Sequence, residues 1–282
     1  MDACVKPSVN TFERSSDGDR YFDGLADKFS RSLYNAPRGE LRLALLDALL
    51  PDMLTSLQTD ASQRCAAADN VLDVGGGLGQ QALWFAQRGF QVTLTEPSSD
   101  MLAYAEKALQ AEPELRKRVH CYPLALQYLP EVLPGPWQLI VCHAVLEWLG
   151  NPRQALGQLS QLLAPGGELS LMVFNRDALR FSNVVKGNLQ KAQQDRLEGF
   201  GLGQRLTPIS PLTHAQIEAW SQENGLEIRQ VAGIRIFQDY LRQPPKDAAE
   251  QERLVALEKQ FCRSEPHWRL GRYLLYTLVK AT

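Results

Sequence analysis

Residues 71–80 read VLDVGGGLGQ, a short apolar run with one acid, Asp73, followed by Gly75, Gly77 and Gly79 at alternate positions. The run Val71 to Val74 has the length of a buried strand, and the glycines after it let the chain turn tightly and bring its backbone against a ligand without Cβ interference. A helix follows through Gln80 to Gln87, then a strand QVTLT (Gln91 to Thr95), a helix from Ser98 to Leu109, a strand near Val119 and the strand WQLIVC (Trp137 to Cys142). The alternation goes on through a helix from Pro152 to Leu163, a Pro-Gly-Gly turn at Pro165 to Gly167 and the strand ELSLMVF. Strands alternating with helices predict an α/β fold with a doubly wound, mostly parallel, seven-stranded sheet. Beyond it, Thr213 caps a helix to Asn224, and runs near Ile228 to Ile236 and Tyr273 to Val279, separated by a helix through Ala248 to Phe261, are expected to close the sheet as an antiparallel pair.

The glycine turn narrows the ligand. A dinucleotide fingerprint needs its third glycine at position 80, which is Gln80, so the nicotinamide-cofactor reading loses its most specific element. Asp73 at the end of the first strand and Glu96 at the end of the second supply carboxylates where an adenosine ribose and an ammonium group can bind. The segment CHAVLEW (residues 142–148) falls where a doubly wound sheet opens its ligand crevice. His143 leaves the strand there, and three roles compete for it: catalytic base, cofactor contact, or packing; its position favours cofactor contact. Glu147 and Trp148 read as residues that start and pack the next helix. The Asp-Pro-Pro-Tyr or Asn-Pro-Pro-Tyr motif of amino-directed DNA methylation is absent.

Composition bounds the rest. The chain has 282 residues, 44% hydrophobic and 22% charged, which excludes disordered, collagen-like and coiled-coil classes and fits one elaborated domain. No apolar run approaches the roughly 18 to 20 residues of a membrane span, and the start lacks the apolar stretch of a secretory signal, so a cytoplasmic protein without a membrane partner is expected. The five scattered cysteines form no CxxC pair, which argues against disulfides and a structural metal. The net charge of −2 hides a division: residues 1–173 carry 14 basic against 20 acidic side chains, −6, and residues 174–282 carry 16 against 12, +4. Residues 1–20 are polar and aperiodic, a flexible tail by expectation. Residues 175–207 interrupt the alternation and are a candidate lid or substrate-binding insertion within a single domain over 21–282.

The acid, the G-x-G-x-G turn and the acid ending the second strand resemble class I S-adenosylmethionine-dependent methyltransferases. A closer resemblance runs through RYFDGLADKFSRSLYNAPRGELR (Arg20 to Arg42), VLDVGGGLGQ, HAVLEWLGNPRQAL, LAPGGELSLMVFN, IRIFQDYLR and CRSEPHWRLGRYL. Together these blocks are similar to the bacterial tRNA 5-carboxymethoxyuridine methyltransferase family. That resemblance implies S-adenosylmethionine as cofactor, the tRNA anticodon loop as partner, and methyl-ester formation on the carboxylate of 5-carboxymethoxyuridine at the wobble position. It implies that Arg42 holds the cofactor's carboxylate, Gly75 and Gly76 its methionine portion and Glu96 its ribose. Leu126 and Gln127 would flank the adenine, and His143 would line the site.

Methyl transfer from a sulfonium to a carboxylate that is already ionised needs alignment and no proton removal, so no catalytic base is expected. An arginine that strips water from the acceptor and orients it is the expected aid. Arg235 and Arg272, with Tyr240 and Tyr273 beside them, are the candidates for acceptor and RNA contact, against an alternative of ordinary strand decoration. Arg176, Arg180, Lys186 and Lys191 form a second positive set, which as a solvated helix face would carry no function. Two other functions stay open: methylation of a small-molecule or lipid carboxylate or hydroxyl, and a non-catalytic nucleotide- or RNA-binding protein.

Overall fold

The computed structural model describes residues 18–24, 26–31, 36–58, 70–198 and 208–282. Its centre is a seven-stranded sheet of β1 (Asn70–Val74), β2 (Gln91–Thr95), β3 (Val119–Tyr122), β4 (Trp137–His143), β5 (Leu163–Phe174), β6 (Leu226–Ile234) and β7 (Tyr273–Lys280). The spatial order is β3-β2-β1-β4-β5-β7-β6. The pairs β1–β2, β1–β4, β2–β3 and β4–β5 are parallel, whereas β7 runs antiparallel to both β5 and β6. The doubly wound sheet implied by the alternation is therefore present. The closing strands pair as expected, with β7 inserted between β5 and β6 rather than appended at the edge.

Among the described residues, helices of five residues or more are α1 (Pro37–Met53), α2 (Gln80–Gln87), α3 (Ser99–Gln110), α4 (Pro152–Leu162), α5 (Arg176–Val185), α6 (Leu189–Gln193), α7 (His214–Glu223) and α8 (Ala248–Phe261). Their starts follow from local chemistry. The side chains of Ser98, Asn151, Thr213 and Asp247 accept backbone N–H groups at the first turns of α3, α4, α7 and α8, and Gln216 completes a capping box with Thr213. α2 has no side-chain cap; it begins at Gly79 with φ +83°, which leaves the glycine turn on its N-terminal side open.

Period-two alternation sends Val71, Val92, Leu94, Leu139 and Val141 to one face, against Leu45, Leu49, Phe85 and Leu109. Leu72, Val74, Ile140, Cys142, Leu169 and Leu171 go to the other, against Leu156, Leu159 and Ile217. Burial on both faces is why these strands lack a polar stripe. Phe85 is fully buried and packs edge-on to Phe90 at 5.6 Å between ring centroids; its truncation to alanine would cost about 3–5 kcal/mol.

Two sequence boundaries shift. β5 begins at Leu163, before the Pro-Gly-Gly turn, because Trp137 pairs with Leu163 while Leu139 pairs with Glu168, so the four residues between bulge from the ladder. At the start of the chain, residues 1–17 lie outside the described residues, but 18–20 of the expected tail are tied down. The Arg20 N–H donates to Trp148 O at 2.9 Å, and the buried Asp19 accepts from the Gly150 N–H at 2.7 Å and from Gln127. Of the 175–207 insertion, the part through Glu198 is described and carries α5 and α6; 199–207 lies outside. No described helix is long and apolar enough to cross a membrane.

Candidate active site

The strand order reverses between β1 and β4, and the carboxyl ends of β1, β2 and β4 open there into a cavity. Arg42, Asp73, Gly75, Gly76, Gly77, Glu96, Leu126, Gln127, His143 and Tyr273 all line it. Gly79 does not: a Cβ at that position would come within 3.1 Å of Ala105 Cβ, so its use is close packing of the turn on α3.

Two glycines are needed for space, and the first for its backbone conformation as well. Gly75 has φ +64°, and a Cβ there would stand 2.5 Å from Val145 Cγ2. At Gly76 a Cβ would fall 2.7 Å from Leu94 Cγ and 2.9 Å from Asp73 Oδ2. The Gly76 N–H donates to Thr95 O at 3.0 Å, which ties the turn to the end of β2.

Glu96 is buried and accepts the Gly77 N–H at 3.0 Å on Oε2 and the Ser98 N–H at 2.9 Å on Oε1. An ionised carboxylate offers about four lone-pair sites, so these bonds fix its plane and leave acceptor capacity toward the cavity. Asp73 is buried beside it, and its Oδ2 has no partner among the described residues. Burial, followed by the charge of Glu96, pushes Asp73 up to about 7, against a backbone N–H from Ala82 that favours ionisation. Burial likewise pushes Glu96 up to about 7, opposed by the Ser98 and Gly77 N–H groups.

Glu147, which the sequence pattern assigns to packing, is part of the cavity instead. It is buried, its Oε2 is unpartnered among the described residues, and burial pushes it up to about 8 against its own backbone N–H, that of Phe174 and the charge of Arg42. His143 closes β4 with Nε2 at 2.8 Å from Ser170 Oγ and an Nδ1 unpartnered among the described residues. Burial and then Arg42 lower its pKa to about 3, so the ring is neutral near pH 7. The Gln127 side-chain amide donates to Asp19, which ties the turn of Leu126 and Gln127 to the segment at residues 18–20.

A second constellation lies behind Tyr273. Arg235, with φ +62°, turns back on Asp239 through Nε at 2.8 Å and Nη2 at 2.7 Å. Arg272 reaches the same carboxylate through Nη2 at 3.3 Å, and Arg38 Nε stands 3.9 Å from it. The Asp239 side chain is only 3% exposed; desolvation raises its pKa, but Arg235, Arg272 and Arg38 together outweigh it and hold the group below the ordinary carboxylate range. Three N–H groups, of Ile236, Phe237 and Gln238, donate to the Glu258 carboxylate at 2.6–3.0 Å, which clamps the loop from below.

Tyr273 joins the two constellations, since the guanidinium carbons of Arg42 and Arg235 each lie 5.9 Å from its ring centroid. Arg272 lies 5.4 Å from the ring of Phe174, which also lines the cavity. The sequence-predicted Arg235, Tyr240, Arg272 and Tyr273 are thus brought together, but only Tyr273 lines the cavity itself. The Tyr240 hydroxyl is used structurally, donating to Leu270 O at 2.8 Å.

The second positive set changes character. Arg176 pairs with Asp195 at 2.9 Å and Glu198 at 2.6 Å, and Arg180 with Asp195 at 2.9 Å and with Asp177. Both arginines are neutralised locally, leaving Lys186 and Lys191 as the open charges of that group. Sequence reasoning does not find Asp239, Glu258 or Glu147; the only signal for Asp239 is its place four residues after Arg235 in IRIFQDYLR.

Comparison with known proteins gives the family. A family model described as a methyltransferase domain matches residues 41–231. The tRNA 5-carboxymethoxyuridine methyltransferase of Escherichia coli (strain K12) is 38% identical over 268 residues, covering 93% of this chain and 97% of that protein. The chain belongs to the tRNA 5-carboxymethoxyuridine methyltransferase family. The ubiquinone biosynthesis O-methyltransferase of Pseudomonas aeruginosa (strain PAO1) is 29% identical but covers 60% of the chain and 68% of that protein. A Thermotoga maritima crystal structure described as an S-adenosylmethionine-dependent methyltransferase, possible histamine N-methyltransferase, shares the fold at TM-score 0.58 and 13% identity, over 92% of this chain and 98% of that one. The sequence blocks that carry the family resemblance are the ones that build the two constellations: Arg42 from the first, the cavity floor from the glycine turn and β4, and the arginine pair from the last two.

Proposed function

We propose that this protein uses S-adenosylmethionine to methylate the carboxylate of 5-carboxymethoxyuridine at the wobble position of tRNA, giving the methyl ester, in the cytoplasm where that substrate resides. The observation that carries the reading is an acidic cavity set against an arginine cluster, with Tyr273 between them.

The residues suit the cofactor. An unpartnered buried Asp73 oxygen, Glu96 with acceptor capacity left over and Glu147 favour a ligand that carries an ammonium and a sulfonium, while Arg42 matches a carboxylate. Gly75 and Gly76, where a Cβ would strike Val145, Leu94 or Asp73, let the turn lie close against the strand ends beside the place the methionine portion would take. When bound, the cofactor supplies a methyl carbon already activated as an electrophile. The chain's own work is to orient the acceptor and exclude water. Arg235 has its fork committed to Asp239, whereas Arg272 makes one long bond to it, so Arg272 keeps donors for the acceptor carboxylate.

Charge also favours turnover. The reaction converts a cation and an anion into two neutral groups. The buried acids therefore hold the spent cofactor less well than the fresh one, and the arginines hold the ester less well than the carboxylate. His143 is neutral and no proton has to move, consistent with alignment as the source of rate.

The test is incubation of the purified protein with methyl-labelled S-adenosylmethionine and tRNA bearing the carboxymethoxy group. Label that stays on wobble-position tRNA and is released by mild alkali is expected. Absence of label on that tRNA rejects the proposal, and label on a small-molecule acid instead would move the substrate to another class.

A further inference from the structure

The insertion is basic in composition, but much of what its helices present to solvent is apolar. On α5 and the start of α6, Phe181 is 42% exposed, Val184 46%, Val185 53% and Leu189 61%. Isolated exposed apolar residues are ordinary on a protein surface; four within nine residues are not. The opposite side of α5 is satisfied: Ala178, Ser182 and Asn183 are buried, and Arg176 and Arg180 are ion-paired. The patch is held in shape where the helices meet, since the Asn188 amide donates to Asn183 Oδ1 at 3.2 Å and its backbone N–H to Asn183 O at 2.9 Å.

Building on the proposed function, we infer that this face, Phe181, Val184, Val185 and Leu189, is where unpaired anticodon-loop bases stack while the modified uridine enters the cavity. Two observations select that occupant. The first is continuity with the site: the Phe181 ring lies 5.1 Å from that of Tyr240, the residue after Asp239, so the patch starts beside the arginine cluster. The second is charge. Lys186 and Lys191 stand exposed among the apolar residues and make no ion pair among the described residues, which suits a polyanion. One aromatic ring and three aliphatic side chains beside open cations match the two parts of a single-stranded nucleic acid, the apolar base face and the phosphate. A second copy of this chain fits worse, because a two-fold contact sets the patch on itself and would oppose lysine to lysine.

The experiment measures binding of an anticodon stem-loop to the full chain by fluorescence anisotropy across a salt series, for the wild type, Phe181→Ala, Leu189→Ser and the double variant Lys186→Ala with Lys191→Ala. Leu189→Ser guards against a Phe181 effect transmitted through Tyr240. Phe181→Ala is expected to weaken binding about fivefold or more at every salt concentration, leaving the slope of log affinity against log salt unchanged. Leu189→Ser should weaken it in the same salt-independent way. The lysine variant should flatten the slope by about 0.7 for each phosphate it no longer neutralises. Cofactor affinity should not change in any of them. Unchanged stem-loop affinity in both apolar variants overturns the inference, as does sedimentation showing that the patch mediates self-association while RNA affinity is untouched. A wild type that binds the stem-loop but esterifies no tRNA would count against the proposed function alone.

Discussion

The two ends proposed for the active site, one for the cofactor and one for the acceptor, are built on opposite principles. The cofactor end is made of backbone: a glycine turn, the ends of β1 and β2, and carboxylates fixed by N–H groups of Gly77 and Ser98. The proposed acceptor end is made of side chains, three guanidiniums gathered on the Asp239 carboxylate over a loop pinned by Glu258. A backbone cradle serves any reaction that uses the same cofactor, so it is common to relatives with different substrates. A side-chain cluster suits one acceptor, so under the proposed function it is the part expected to differ between them. The Pseudomonas relative covers 60% of this chain, against 93% for the Escherichia coli one.

The largest effect should come from breaking the cradle. Glu96→Ala removes a buried carboxylate and two or more charged hydrogen bonds to ligand, each worth about 1.5–3 kcal/mol, so cofactor affinity should fall about a hundredfold or more by calorimetry. Its effect on the Michaelis constant for tRNA should be small. Equal loss of both would mean the two ends are not separable.

Next in size is the reciprocal change. Arg272→Ala should raise the Michaelis constant for modified tRNA about tenfold to a hundredfold while cofactor affinity stays within a factor of about two. Asp239→Asn keeps the shape but frees Arg235 and weakens the hold on Arg272, so it should give a smaller change of the same kind. If Asp239→Asn lowers the melting temperature as much as Asp239→Ala and leaves the Michaelis constant alone, Asp239 is a structural residue and positions nothing.

This contrast also explains what is legible in the sequence. The cofactor end is local along the chain: Asp73, Gly75, Gly76 and Gly77 are consecutive or nearly so, and Glu96 follows by one helix, so a one-dimensional pattern carries a three-dimensional site. α2 and β2 fall on the residues their patterns predict for the same reason. The acceptor end joins residues 38, 235, 239, 258 and 272, which no spacing rule links. Its family-specific blocks point to Arg235 and Arg272, but the shared counter-ion that commits one and leaves the other available depends on tertiary packing. The insertion shows the same limit: its charges can be counted from sequence, but the pairing of Arg176 and Arg180 with Asp195 and Glu198, 15 to 22 positions further along, is set by how its helices fold together.

Proton linkage offers a milder handle on the cofactor end. Asp73, Glu96 and Glu147 are raised to about 7, 7 and 8, so below those values the empty cavity holds protons that a cationic ligand must displace. Binding should therefore strengthen as pH rises from 6 to about 7.5, by up to about tenfold per pH unit for each proton released. Above the ordinary range of an α-amino group, near ~8, the ligand's own ammonium begins to be lost and the trend should stop. The same raised values mean that the unliganded protein loses stability from these groups as pH climbs from about 4 to 8, since the folded state resists ionisation that the unfolded chain accepts. The ligand-induced rise in melting temperature should accordingly be greater at pH 7.5 than at pH 6. A pH-independent affinity would mean the three acids are already ionised in the empty site.

The smallest effect should fall on His143, although a histidine beside a reacting centre is the usual suspect for a base. Its ring is buried, bonded to Ser170 through Nε2, and held neutral because burial and Arg42 lower its pKa to about 3. A pKa that low makes it too weak a base to hold an abstracted proton between pH 5 and 8, and the carboxylate acceptor has none to lose. His143→Ala should leave turnover at saturating substrates within about threefold of the wild type, a loss far below the 10²–10⁴-fold typical of removing a general base. Any rise should be in the Michaelis constant for cofactor, since His143 lines the cavity beside Arg42. A His143→Ala protein that binds cofactor normally yet does not turn over would restore the histidine as a base and require an acceptor that must be deprotonated, such as a hydroxyl. That outcome would shift the acceptor end away from an ionised carboxylate and leave the cofactor end as described.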